Sequence, residues 1–383
     1  MDDAPSPGAP STADPQPPAR RNVLVLQGGG ALGAYQAGVY DALAAHQTHI
    51  DWIAGVSIGA VNGAIIAGNE PQYRVERLHE FWNLVTELTA AWPDPPYRGW
   101  QQTLYRDAGA ASAMLFGAPG FFHPQPVLDW FYQPAPLSFY DTSELRRTLE
   151  RLVDFDRINR PGGTRLSVGA VDVETGNLIY FDSAKQRIQP EHIMASGALP
   201  PGLAVVEIDG NYYWDGGLVS NTPLQYVVDF EPREDMLIFQ VDLFPARGQL
   251  PKNLDEVAER EKDIRYSSRT RTGTENAMLR HQLRASLSSF LDGLPPELQE
   301  NPVAQRLRAF ACPKTVDIVH LIYRPTVPQG STKDFQFVRG TIDQRWAQGR
   351  HDARITLAAA PWNSAPGPNE PVRVFDVLAA SRR

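Results

Sequence analysis

The apolar positions of this chain change period along its length. Residues 23–27 (VLVLQ) form a short unbroken apolar run, the pattern of a strand covered on both faces in a parallel sheet. After Gly28, Gly29 and Gly30 the apolar positions Tyr35, Val39, Ala42 and Leu43 fall at helical spacing, which predicts a helix to about His46. Residues 50–56 predict a second buried strand that ends at Ser57. The next stretch, IGAVNGAIIAG, is uncharged and rich in small residues, so it predicts a helix packed closely on the sheet. Leu78, Phe81, Trp82, Val85 and Leu88 mark an amphipathic helix, and residues 141–144 (DTSE) carry a capping-box pattern ahead of Leu145, Leu149 and Leu152. Further strands are expected at 166–171, 177–181, 236–243 and 316–323, with a charged, surface-lying helical stretch over 253–310. This alternation predicts an α/β fold with a mainly parallel central sheet.

Composition changes this picture in three places. Residues 92–140 are broken by prolines yet hold 12 of the chain's 37 aromatic residues, which predicts either the lining or cover of a large apolar space, or a core-packing insertion. Residues 1–21 open on a Pro-rich stretch that cannot pack a core and are expected to be a disordered tail. With 36 Lys and Arg against 44 Asp and Glu, the formal charge of −8 argues against a nucleic-acid partner. The single cysteine, Cys312, excludes an internal disulfide framework and a cysteine-rich zinc site. Without a secretory pattern or an apolar run of roughly 18 residues, the expected address is the cytoplasm.

The first motif has two readings. Gly28-Gly29-Gly30-Ala31-Leu32-Gly33 follows a strand, opens a helix and satisfies G-x-G-x-x-G, the dinucleotide-binding pattern. That pattern also wants an acidic residue at the end of the second strand, where this chain has Gly55-Val56-Ser57-Ile58-Gly59 instead. G-x-S-x-G at a strand-to-helix turn is a nucleophile elbow: Gly55 and Gly59 clear space, and Ser57 is the candidate nucleophile. Beside it, the backbone N–H groups of Gly28, Gly29 and Gly30 form a candidate oxyanion site at a helix N-terminus. A packing turn and a phosphate loop are the alternatives.

A serine needs a base. None of the eight histidines lies in a glycine-rich turn, and His320, within VDIVHLIY, reads as structural. Asp215, in Trp214-Asp215-Gly216-Gly217 after the hairpin-like residues 208–213, is the better candidate, although Asp-Gly-Gly is also a common β-turn. There is no H-E-x-x-H and no cysteine cluster, so no metal and no cofactor is expected.

Four blocks in this order, Gly28–Gly33, Gly55–Gly59, Ala195-Ser196-Gly197-Ala198-Leu199-Pro200 and Asp215-Gly216-Gly217, resemble the patatin-like phospholipases. The resemblance implies a three-layer α/β/α fold, a Ser57–Asp215 dyad acting without histidine, and hydrolysis of fatty acyl (phospho)lipid esters through an acyl-enzyme. It divides the chain into the tail, a catalytic domain over 22–245, and a helical or mixed extension over 246–383 packed on it. The most characteristic part of that extension is KDFQFVRGTIDQRWAQGRHDA. Leu32 stands where many members of the family carry Arg or Lys, which leaves an oxyanion to backbone donors and the helix dipole. A weakly active or non-catalytic protein bound to lipid or granules is the alternative. The expected partner is a lipid or acyl-ester substrate, with a peripheral membrane or granule contact beside it. Residues 260–284, including Arg265, Arg269 and Arg271, hold seven basic against three acidic side chains and suit either an anionic membrane surface or a solvated helix.

Overall fold

The computed structural model describes residues 20–93, 100–131, 136–230, 232–367 and 370–380. Its strands are β1 (Arg21–Leu26), β2 (Trp52–Val56), β3 (His123–Pro124), β4 (Tyr140–Asp141), β5 (Arg165–Asp172), β6 (Leu178–Asp182), β7 (Val206–Ile208), β8 (Asn211–Asp215), β9 (Met236–Asp242), β10 (Val316–Ile322) and β11 (Val372–Phe375). Nine of them form one sheet, ordered β11-β10-β9-β1-β2-β5-β8-β7, with β6 also paired to β5. From β11 to β5 all neighbours are parallel, whereas β6 and β8 run antiparallel to β5. β3 and β4 make a separate ribbon.

Successive side chains of a strand point to opposite faces, and β1 feeds two cores in this way. Leu24 and Leu26 enter one core with helices Ala34–Ala45, Ile58–Ala67, Arg74–Leu84 and Arg339–Ala359. Val23 and Val25 enter the other, under helices Leu224–Asp229 and Leu254–Asp292. The result is a three-layer α/β/α architecture with a mainly parallel sheet. Among the described residues no helix is long and apolar enough to cross a membrane.

Residues beyond 245 are woven into this sheet. β10 lies along β9 and β11 along β10, while helix Arg339–Ala359 packs on helix Ala34–Ala45. There Tyr35 Oη donates to Asp352 Oδ2 at 3.0 Å and Trp346 Nε1 donates to Asp41 Oδ2 at 3.0 Å.

Three local expectations are corrected. Residues 1–19 lie outside the described residues, but Arg20 and Arg21 are not tail: Arg20 pairs with buried Asp317, which also holds Arg373, and Arg21 opens β1. The helix expected through Leu88 ends at Leu84, and a 3-10 turn follows at Glu87–Thr89. Helix Ser143–Leu152 forms without the capping box, because Glu144 reaches away to accept from Gly120 N at 2.8 Å while Asp141 accepts from Ser143 N at 2.8 Å. Tertiary demand for an acceptor at Gly120 outweighs the local motif.

The charged stretch folds as the long helix Leu254–Asp292 and two short ones; several of its described cations reach across to the rest of the molecule, while Arg265 makes an exposed ion pair within the helix. Arg280 and Arg284 both pair with Asp229, Lys262 with Asp334, Arg265 with Glu261, and Arg260 donates to the carbonyls of Pro245 and Ala246. The side chains of Arg269 and Arg271 lie outside the described residues.

Candidate active site

Strand register brings Ser57 and Asp215 together. β2 runs along β5 as far as Val56, opposite Gly169. β8 meets β5 from the other direction and places Asp215 opposite Ala170. Because β6 occupies the other edge of β5 from Ser167 to Val171, β2 and β8 share one edge and end against consecutive residues of it. Ser57, the residue after Val56, therefore arrives beside Asp215, the last residue of β8.

Ser57 joins β2 to helix Ile58–Ala67 at φ 55° and ψ −125°, a conformation that costs a non-glycine residue about 1–3 kcal/mol. The surroundings hold it there. Its N–H is shared between the carbonyl oxygen of Ser196, at 3.1 Å, and the hydroxyl of Ser196, at 3.0 Å; that hydroxyl donates to Gly169 O at 2.6 Å. A Cβ on Gly55 would lie 2.4 Å from Gly59 O, and one on Gly59 would lie 2.4 Å from Leu26 O, so the elbow is pressed too closely on the sheet for side chains at either position.

Asp215 is buried. Its N–H donates to Ala198 O at 3.0 Å and its Oδ1 accepts from Gly217 N at 2.7 Å. Burial pushes the carboxyl pKa up to about 6, against the opposing pull of the Ser57 hydroxyl and the Gly217 N–H. The group is thus poised between its two protonation states near neutral pH.

The glycine loop is anchored at both ends. Gln27 Oε1 accepts from Leu243 N at 2.5 Å and from Phe244 N at 3.2 Å. Asn221 clamps Gly28 twice: its carbonyl accepts from Gly28 N at 3.1 Å, and its Nδ2 donates to Gly28 O at 2.9 Å. Of the three glycines singled out in the sequence, Gly28 therefore has its N–H engaged. Among the described residues neither Gly29 N–H nor Gly30 N–H has an acceptor, as expected at the mouth of the turn Gly30–Gly33. Leu32 points away and is fully buried in the core.

Gly29, Gly30, Ser57 and Asp215 face one cavity of about 360 Å³. Met114, Phe121, Phe122, Phe139 and Tyr140 form one wall, so part of the aromatic segment lines this space, whereas Phe116 and Phe131 face outward; residues 94–99 and 132–135 lie outside the described residues. Leu199, Pro200, Pro201 and Leu203 form a second wall. Asp334, Phe335 and Phe337 form the third, with the Phe337 ring centroid 5.9 Å from that of Phe121 and 5.8 Å from that of Phe122. Asp215 and Asp334 are the charged residues among the described lining, and no histidine is among them. A wider groove of about 880 Å³, over Tyr180, Tyr226 and Phe230, holds neither Ser57 nor Asp215.

The third wall is tied to the long helix by a buried cation. Lys333 Nζ donates to Asp263 Oδ1 at 2.5 Å and to Glu259 Oε1 at 3.4 Å, and Glu259 also accepts from Gln329 N and Gly330 N. Sequence reasoning gave no role to Ser196, Asn221 or the 333–337 turn. The first two stand in glycine-flanked polar blocks; the third opens the run KDFQFVRGTIDQRWAQGRHDA, which is distinctive in the sequence but says nothing of its place at the cavity. Among the described residues no cluster of His, Cys, Asp and Glu is placed to hold a metal ion.

Comparison with known proteins gives two family matches. A model described as patatin-like phospholipase covers residues 24–228, more than half of the chain, and one described as patatin phospholipase covers residues 264–369. No curated protein matches significantly. Among solved structures, VipD from Legionella pneumophila is 14% identical over 87% of this chain and 67% of its own, with a TM-score of 0.35. The type III effector ExoU is 16% identical over 89% of this chain and 53% of its own, with a TM-score of 0.35. The ExoU–SpcU complex of Pseudomonas aeruginosa matches at 18% identity over 76% of this chain and 60% of that one, with a TM-score of 0.27. The chain thus spans about half the length of ExoU and about two thirds of VipD. With the family model running from β1 past Ser57 and Asp215 into helix Leu224–Asp229, this chain belongs to the patatin-like phospholipases, a family of lipid-ester hydrolases.

Proposed function

We propose that this chain hydrolyses fatty acyl carboxylic esters of lipids with Ser57 as nucleophile, Asp215 as its base and an oxyanion site made by Gly29 and Gly30, Gly28 serving to hold the loop. The observation that carries the reading is the meeting of three features in one cavity. These are a serine held at a strained elbow, a buried carboxyl acted on by its hydroxyl, and two backbone donors without acceptors among the described residues.

In the first step Asp215 accepts the Ser57 hydroxyl proton as Oγ bonds to the ester carbonyl carbon. The carbonyl oxygen takes the negative charge toward Gly29 N–H and Gly30 N–H, each such donor lowering the barrier by about 3–4 kcal/mol. Collapse breaks the ester C–O bond, and Asp215 returns its proton to the departing alcohol. The acyl group, now on Ser57, is released by a water activated by the same carboxylate. A base with pKa near 6 suits this exchange better than an exposed carboxylate, because proton transfer in both directions stays within reach. The acyl chain lies among Phe121, Phe122 and Phe337. The catalytic unit is residues 22–245, with the 246–383 extension supplying one wall.

The test is intact-mass analysis after a fluorophosphonate probe, on wild type and Ser57→Ala, followed by p-nitrophenyl esters of graded length. A single adduct absent from Ser57→Ala, with hydrolysis lost in Ser57→Ala and Asp215→Asn, is the expected result. No adduct on folded wild-type protein would turn the assignment to a non-catalytic lipid-binding role.

A further inference from the structure

Residues 108–131 and 136–140 contain one formally charged side chain, Asp129, in a chain that is 21% charged. Within this run Leu115, Phe116, Leu128, Phe131 and Leu137 are between 67% and 85% exposed. Exposed apolar side chains also occur over 250–310, as at Leu254 and Phe290, but there they stand among charged residues; those of the present run have a single charged neighbour in it, and such a patch marks a contact surface. The segment is stitched to the rim of the cavity: Tyr140 Oη donates to Met114 O at 2.9 Å, Gln125 N to Phe139 O at 2.9 Å, and Phe139 N to Pro201 O at 3.0 Å. Met114, Phe139, Tyr140 and Pro201 all line the cavity, so the exposed side chains stand on the segments that frame its mouth.

We infer that this uncharged apron seats the cavity on a zwitterionic lipid bilayer, an interaction that rests on the lipid-ester reading of the site. Charge argues for that occupant. The apron offers no cation to an anionic surface, and the described cations of helix Leu254–Asp292 are paired or bonded within the molecule. Attachment is driven by apolar burial, and an acyl chain leaving the bilayer enters the aromatic cavity without crossing water.

The experiment is flotation of the full chain carrying Ser57→Ala, so that lipid is not consumed, with phosphatidylcholine vesicles and with vesicles that also contain phosphatidylglycerol. Binding to phosphatidylcholine is expected, unchanged between about 0.1 M and about 1 M salt because no surface charge is involved. Adding Phe116→Ser or Leu137→Ser lowers the partition coefficient by about tenfold each. In the chain that retains Ser57, both substitutions leave hydrolysis of a soluble short-chain p-nitrophenyl ester unchanged, since neither residue lines the cavity. The inference is overturned by absence of flotation on phosphatidylcholine, by binding that needs phosphatidylglycerol and vanishes with salt, or by apron substitutions without effect. It is also overturned if sedimentation shows a dimer that these substitutions dissociate, which would make the apron an interface between copies. Loss of soluble-ester hydrolysis in wild type, with flotation intact, would defeat the hydrolase reading alone.

Discussion

The carbonyl oxygen of Asp334 stands 2.3 Å from the point that a Cβ on Gly30 would occupy, and Gly30 itself lies at φ +54°. The glycine loop of the family motif and the turn at 333–335 are therefore interlocked backbone to backbone. Gly30→Ala meets a left-handed backbone angle and a rigid obstacle together, and is expected to lower kcat by about 10²–10³ through displacement of the loop's donors. Gly210→Ala is the control. Gly210 has φ +80° with nothing within 4 Å, so its substitution costs only about 1 kcal/mol of stability and leaves the rate unchanged. Ester hydrolysis and thermal melts of the two variants make the comparison.

With Asp215 in the proposed role, its protonation sets the pH dependence. As a base it must be ionised, so kcat/KM is expected to fall about tenfold per pH unit below about 6 and to level off above it. A profile flat from about pH 5 to 8 would remove Asp215 from that role.

Stability moves the other way. The folded pKa lies above the ordinary carboxylate value, so as pH rises the unfolded chain ionises first and the folded chain retains its proton. The contribution of this group to stability is fully present below about pH 4 and is lost as pH rises to about 6. Asp215→Asn cannot ionise, and is expected to exceed wild type by up to about 3 kcal/mol at about pH 8, with no difference near pH 4. Urea unfolding at the two pH values measures it.

Removing the Lys333 ammonium leaves Asp263 and Glu259 buried without their cation. Lys333→Met is expected to destabilise by about 3–5 kcal/mol, and Lys333→Met with Asp263→Leu to recover part of this. Equal stabilities of the two variants in denaturant titrations would show that the ion pair does not hold the turn.

Phe337 closes the cavity against Phe121 and Phe122, where the proposed mechanism puts the acyl chain. Phe337→Ala is expected to shift the optimum of the p-nitrophenyl ester series to longer chains while the short-ester rate changes little. An unchanged optimum would place the acyl chain elsewhere.

The nucleophile elbow and the sheet strands around it were legible because their constraints are local. A strand that turns sharply into a helix needs small residues two positions either side of Ser57, and Gly55 and Gly59 advertise that need. The hairpin at 208–213 was readable for the same reason, with Asp209 at φ 51° and Gly210 at φ 80° in its two-residue turn. The capping-box pattern at 141–144 does not form a cap, because a local pattern cannot reveal a competing partner, here Gly120 N. The excess of cations over 260–284 is plain in the sequence, but a charge balance carries no information about Asp229 or Asp334 standing opposite them.

The sequence by itself determined the alternating α/β order, the mainly parallel sheet and the membership of Ser57, Gly28–Gly33 and Asp215 in short motifs, because backbone sterics and periodic burial act over a few residues. Only the tertiary structure decided that β2 and β8 end on the same edge of β5, that Asn221 holds Gly28, and that Asp334, Phe335 and Phe337 close the cavity. Those relationships join positions more than a hundred residues apart, and strand register and buried ion pairs that create them exist only once the whole sheet has formed.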